Sequence, residues 1–269
     1  MPGSCRSREG RSTPADRFSS SVAPPRPPGA VMLAGTAALR MGAGRLALAV
    51  DAAVAPHVAV AIPESGVSGL EDEERMSQEA GGADAVLVGP GLDDADVAGE
   101  LLERLARFVD DNTPVVVDAY AATVLPDVSA QCRATLAGRL LATPNTSELA
   151  RLVGADDLAD DEIAAAAESV RETYDATVAA VGWVVANNGV WRSTTGDTGL
   201  GTSGSGDVLA GAITGLLARG ADHAQALAWG VHSHAAAGDV LAARLGRVGY
   251  LASELVDELP LVLGSLRGD

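Results

Sequence analysis

From Ala30 onward the chain alternates two hydrophobic periodicities. Apolar residues at helical spacing fill "AVMLAGTAALRMGAG", with Gly42 and Gly44 as stop signals, and "RLALAV" follows as a short apolar strand. "ADAVLVGPGL" reads as a buried strand over Ala85 to Val88 running into a Gly-Pro-Gly loop. "DVAGELLERLARFVDD" reads as an amphipathic helix, and "TPVVVDAY" as a buried strand ending on Asp118. "AGRLLATPNTSELARLVG" predicts a strand, a turn at Pro144-Asn145 and a helix capped by Thr146 or Ser147, with Glu148 in its first turn. "DDEIAAAAESVRETY" is helical. "ATVAAVGWVVAN" reads as a strand with a glycine break, and "GVWRST" as its hairpin partner. "DHAQALAWGVHSHAAAGDVLAARL" makes one helix or a pair, and "LASELVDELPLVLGSL" closes the chain.

Short apolar strands alternating with helices of ten to fifteen residues predict an α/β fold. Its central sheet is mostly parallel, with helices on both faces. Ligands of such sheets sit at the carboxyl ends of the strands. The segments "VGPG", "VDAY" and "ATPN" each follow a strand, so they are expected to converge on one edge. Residues 1–29 break the pattern. They hold six of the 13 prolines and five arginines against Glu9 and Asp16, a composition that predicts disorder rather than a core.

Composition narrows the function. Hydrophobic residues make up 47% of the 269 residues but aromatics only 3%, so Ala, Val and Leu must build the core. The net charge of −17, with no basic stripe, argues against nucleic-acid binding. All 19 basic residues are Arg, which excludes Schiff-base chemistry and a P-loop lysine. Cys5 and Cys132 match neither a metal spacing nor a disulfide framework, and no apolar run is long enough to span a bilayer. A cytoplasmic protein is expected.

The chemistry concentrates in "GLGTSGSGDVLAG", Gly199 to Gly211. A glycine-rich turn ahead of a helix exposes backbone N–H groups to an anion, and the helix dipole adds to that attraction. Asp207, at the helix start, is either a plain cap beside a flexible loop or a base. A carboxylate beside an anion site makes sense when it takes a proton from a hydroxyl while the N–H groups hold a developing phosphoryl charge. Asp118 has two readings as well, a water-mediated Mg²⁺ or phosphate neighbour and a turn cap. His232 and His234, two apart on a helix, face different ways and are not read as a metal pair. Trp183, Trp191 and Trp229 read as packing residues, with Trp183 placed to border an adenine.

"TGLGTSGSGDVLAGAITGLLARG" resembles the GSGD-type anion-hole motif of the ribokinase-like superfamily, and within it the ADP- or ATP-dependent NAD(P)H-hydrate dehydratases. "GAVMLAGTAALRMGAGRL", "ADAVLVGPGL", "VVVDAYA" and "LLATPNTSELARL" resemble further parts of that family in the same order, so the resemblance spans roughly residues 29–269. It implies a ribokinase-like three-layer domain over residues 30–269 and the nucleotide-dependent dehydration of the S form of hydrated NADH or NADPH. Under it Asp207 is the catalytic base, and Gly204, Ser205 and Gly206 form the anion hole. Ala30, Gly91, Asn145 and Asp207 meet the hydrated dinucleotide. Val181, Gly182, Trp183, Val184, Val185 and Gly206 meet ADP or AMP. Asn145 stands where the family commonly has His, and Val181 where it has Lys. Mg²⁺ and ADP or ATP are implied as cofactor and phosphoryl donor, a homo-oligomer as the assembly, and an NAD(P)H-hydrate epimerase as functional partner. The family also places a strand before the first helix, and residues 1–29 contain no apolar run for it, so exposed sheet edges are expected. Two other readings remain open: a small-molecule kinase for a vitamin-precursor alcohol, and a catalytically impaired nucleotide-binding relative.

Overall fold

The computed structural model describes residues 28–266. The disorder expected for residues 1–29 therefore falls outside the described residues, except that Gly29 already opens a helix. In chain order the elements are α1 (Gly29–Arg40), β1 (Leu46–Val50), α2 (Ala55–Ala61), β2 (Ser65–Gly69), α3 (Glu73–Gly81), β3 (Val86–Val88) and α4 (Ala95–Leu105). There follow β4 (Val115–Val117), α5 (Ala119–Thr123), α6 (Ala130–Leu136), β5 (Leu140–Ala142), α7 (Thr146–Val153) and α8 (Ile163–Tyr174). The chain ends with β6 (Ala176–Ala180), β7 (Trp183–Ala186), β8 (Gly189–Arg192), α9 (Ser205–Leu217), α10 (His223–Leu245) and α11 (Ala252–Leu266).

β3 to β8 form one sheet in sequence order, parallel from β3 to β6 and antiparallel from β6 to β8. The period of two along each strand sorts its residues to opposite layers. Val115 and Val117 join Leu102, Leu149 and Ile163 in one core, whereas Val116 and Leu141 join Val208, Ile213, Leu227 and Leu255 in the other. The sheet thus lies between a layer with α4 to α8 and a layer with α1 and α9 to α11, the three-layer arrangement that the alternating pattern predicts. Both cores consist mainly of Ala, Val and Leu, as the composition requires. Trp191 and Trp229 depart from their expected packing role: 41% and 38% of each remains exposed.

Among the described residues β1 and β2 pair only with each other. The N–H of Val86 donates to the Pro114 carbonyl and the Val88 carbonyl accepts from Asp118, so both residues spend their backbone groups on the β4 side. Alternation along a parallel ladder turns the groups of Leu87 the other way. The Val50 carbonyl accepts from Leu70 on the β2 side, which turns those of Ala47 and Ala49 outward in the same manner. These edges border a cavity of about 490 Å³ enclosed by Ala34 and Ala38 of α1 and by Leu101 and Leu105 of α4. Among the described residues no strand pairs with these two edges, and helices shield both faces.

Two local expectations are corrected and a third is narrowed to one of its alternatives. The glycine break in "AAVGWVV" is a chain reversal: Val181 (φ 48°) and Gly182 (φ 80°) form the two-residue turn between β6 and β7, with Ala180 paired to Trp183. Two positive φ angles define the turn type that matches strand twist, and Gly fills its second position as usual. A β-branched residue in the first is strained. The "DHAQ…" segment is a single 23-residue helix. α7 is capped by Asn145 rather than Thr146 or Ser147. The Asn145 side chain accepts from the Glu148 N–H at 3.0 Å, and the Glu148 carboxylate accepts from the Asn145 N–H at 2.9 Å, a complete capping box.

Candidate active site

The carboxyl ends of β3, β4 and β5 meet the amino end of α9. After β3 the chain turns through Gly89 (φ 132°) and Gly91 (φ 80°). A Cβ on Gly89 would stand 1.9 Å from the Asp118 carbonyl, so only glycine lets this loop lie on the end of β4. Asp118 is buried there, and its carboxylate accepts a hydrogen bond from Thr143 Oγ1, just after β5, at 2.8 Å. Ala119 follows with φ 50°, a left-handed conformation costing a non-glycine residue about 1 kcal/mol. Thr143 leads into Pro144, Asn145 and the capping box of α7.

Opposite them α9 begins at Ser205, with Gly204 (φ 88°) as its N-cap. Asp207 is accordingly the third residue of the helix rather than its cap, and no side chain caps the helix. The Ser205 N–H donates to the Thr202 carbonyl at 3.2 Å, and its hydroxyl lies 2.8 Å from His234 Nε2. Ser205 of the expected anion hole therefore has both its N–H and its hydroxyl engaged with the protein. The N–H groups of Gly204, Gly206 and Asp207 have no acceptor among the described residues. They are the orphan donors of a helix start, beside an exposed Gly206 and a half-buried Asp207.

Three carboxylates share this space. Burial pushes Asp118 up to about 7, the Thr143 hydrogen bond opposes the shift, and the charges of Glu148 and Asp207 add to it. Burial, then the charge of Glu148, raises Asp207 to about 6. Burial also raises Glu148, against its hydrogen bonds to Asn145. A carboxyl that holds its proton more tightly folded than unfolded stabilises the fold at low pH and loses that advantage as pH rises through its folded value. Asp118→Asn, which keeps an acceptor for Thr143, should therefore raise the melting temperature at pH 8 by a few degrees and leave it nearly unchanged at pH 3, below the unfolded value of 3.8. Thermal unfolding at the two pH values decides this, and equal values at pH 8 would show that the burial carries no cost.

The other expected site residues divide by position. Ala30 lies in the first turn of α1, and Leu33, three residues on, reaches Gly204, where a Cβ would meet it at 2.5 Å. Gly91 lies in the β3 loop, and Asn145 is exposed at the cap of α7. Val181 is 56% exposed at its turn, and Gly182 accepts from the Ser193 N–H at 2.8 Å. Trp183 is half-buried under the Arg192 guanidinium, 5.0 Å from its ring centroid. Val184 and Val185 are buried in a strand paired on both sides, with β6 and with β8. His234 and its contact with Ser205 were missed by sequence reasoning: 29 positions separate them. A surface depression of about 650 Å³ lies at the opposite edge of the sheet around Pro114, Gly138 and Asp175, away from all of these residues.

Residues 26–261 match the family model described as NAD(P)H-hydrate dehydratase. The chain belongs to this family. The ADP-dependent (S)-NAD(P)H-hydrate dehydratase of Xanthomonas campestris pv. campestris is 39% identical over 260 residues, which cover 90% of this chain and 86% of that protein. The bifunctional NAD(P)H-hydrate repair enzyme of Moorella thermoacetica is 34% identical across 88% of this chain, and the match spans 47% of its length. Among solved structures, a ribokinase-like superfamily protein from Enterococcus faecalis superposes with a TM-score of 0.78 at 24% identity, covering 88% of this chain and 82% of the other. The ADP/ATP-dependent NAD(P)H-hydrate dehydratase of Bacillus subtilis, co-crystallised with ATP and Mg²⁺ and soaked with CoA, gives 0.72 at 25% identity, covering 89% and 88%. The dehydratase fold is therefore ribokinase-like.

Proposed function

We propose that this dehydratase uses ADP to return the S form of hydrated NADH or NADPH to the reduced dinucleotide, releasing phosphate and AMP. The observation that carries the reading is Asp207, a carboxylate of raised proton affinity beside unpaired N–H donors at a helix start. The ring hydroxyl gives its proton to Asp207 and its oxygen attacks the terminal phosphorus of ADP. The bond to the AMP oxygen breaks, and the N–H groups of Gly204, Gly206 and Asp207 take up the developing charge. The C–O bond then breaks, phosphate departs with its electron pair, and a proton leaves the adjacent ring carbon to restore the double bond. A base is most effective with a pKa close to the working pH, and about 6 meets that condition.

Ala30, Gly91 and Asn145 line the side of the dinucleotide in this reading. The Val181-Gly182 turn and Trp183 line the side of ADP, with Val184 and Val185 carrying them from within the sheet. No three metal-binding side chains cluster among the described residues. The crowded carboxylates Asp118, Glu148 and Asp207 suit a Mg²⁺ that arrives on the phosphates and meets the protein largely through water. Bound there, it would neutralise phosphate charge. We further assign an NAD(P)H-hydrate epimerase as functional partner, in keeping with the bifunctional relatives. A homo-oligomer in the cytoplasm completes the proposal; no helix among the described residues is long and apolar enough to cross a membrane.

Purified protein given hydrated NADH, ADP and Mg²⁺ should regenerate the absorbance of reduced nicotinamide and release phosphate and AMP in equal amounts. Accumulation of a stable phosphate ester would identify a kinase instead. Nucleotide binding without any product would identify an inactive relative.

A further inference from the structure

The glycine loop is conformationally costly. It must nevertheless hold three N–H donors and one carboxylate to within a fraction of an ångström, because glycine brings no side chain to fix it. What fixes it is α10. The Gly196 N–H donates to the Asp239 carboxylate at 3.1 and 3.2 Å. Leu200 packs against Gly238, where a Cβ would stand 2.7 Å from it. Asp197 accepts two hydrogen bonds from Arg247, just beyond α10, at 2.6 and 2.7 Å. These contacts hold the approach to the loop and are mostly near solvent. The contact at the turn itself is different: Ser205 and His234 are 3% and 7% exposed, and Oγ and Nε2 lie 2.8 Å apart. The first residue of α9 is thus tied to the middle of α10 by one buried hydrogen bond.

We propose that His234 is a positioning residue for the anion hole, acting through Ser205 to fix the first turn of α9. With Ser205 held, the N–H groups of Gly206 and Asp207 and the Asp207 carboxylate keep a constant aim at the transferring phosphoryl group. The assignment rests on the reading of that turn as the phosphoryl site. Burial holds the ring neutral, with its pKa pushed down to about 4, so the tie persists across the pH range in which Asp207 titrates.

The test uses three variants of the full chain: His234→Leu, Ser205→Ala and the two together. Each single change should lower kcat by about 10–100-fold. His234→Leu should also lower the melting temperature, because it leaves a buried hydroxyl without a partner. The double variant removes both polar groups and should regain most of that melting temperature without regaining kcat. Ser205→Thr, which keeps the hydroxyl, should retain turnover. A merely structural contact would let kcat recover together with stability, and that result, or wild-type kcat in both single variants, overturns the proposal. Should the wild-type protein fail to dehydrate hydrated NADH, the functional reading fails separately. Calorimetric ADP affinity then decides: about tenfold weaker binding in all three variants supports the anchor, and unchanged affinity sinks it.

Discussion

Asp207→Asn lowers kcat for hydrated NADH by about 10²–10⁴-fold, the usual contribution of a positioned general base, and leaves ADP bound at least as tightly as before. The amide keeps the size and place of the carboxylate but cannot accept the hydroxyl proton. It also removes a negative charge from a space already shared by Asp118 and Glu148, so the phosphates of ADP meet less repulsion. The Gly204, Gly206 and Asp207 N–H groups belong to the backbone and are untouched. In the wild-type protein kcat/KM should rise with pH through about 6, as Asp207 loses its proton, and this limb should be absent from the residual activity of the variant. Steady-state rates across pH, paired with calorimetric ADP binding, make the measurement. Turnover within tenfold of wild type would remove Asp207 from the role of base.

The largest effect on stability is expected at Gly211. α1 and α9 run side by side with their backbones in contact. A Cβ on Gly211 would lie 2.1 Å from the Ala34 carbonyl oxygen, and one on Gly215 2.4 Å from that of Ala38. The glycines of one helix and the alanines of the other are each four apart, so they form a single stripe along both. A carbonyl in the middle of a helix has no rotamer to change, and the clash can be relieved only by moving α1 as a body. Gly211→Ala should therefore cost about 3 kcal/mol, at the upper end for overpacking, and lower the melting temperature by about 6–12 °C. Activity should fall as well, because Leu33 of α1 stands beside Gly204. Gly99→Ala is the control. It lies inside α4 with nothing within 4 Å of a new Cβ, and should stabilise by about 0.5–1 kcal/mol through helix propensity. Thermal denaturation of the three proteins checks both signs at once. A Gly211→Ala protein as stable as wild type would mean that the helices are not in backbone contact.

The sequence by itself determined the kinds of element, their order and the chemistry of the glycine loop. Each is written locally: apolar runs such as "VVV" and "LLA" for strands buried on both faces, helical spacing in "ELLERLARF", and Gly-Ser-Gly-Asp ahead of an apolar helix. Periodicity and turn chemistry act over a few residues, so one dimension is enough to read them. Where the pattern was mixed, as across residues 51–84, α2, β2 and α3 went unread. The tertiary structure decided whatever depends on distance between remote residues or on competition for one hydrogen-bonding group. Asn145, rather than Thr146 or Ser147, took the cap because Glu148 could reach back to it. Val181 and Gly182 became a turn because β7 pairs antiparallel with β6. Ser205 became tied to the loop and to α10 because Thr202 and His234 engage its N–H and hydroxyl. Asp118, Glu148 and Asp207, spread over 90 positions, became one electrostatic unit only when three strand ends met one helix start. Burial and proximity, which set their proton affinities, belong to the packed chain and have no counterpart in the order of its residues.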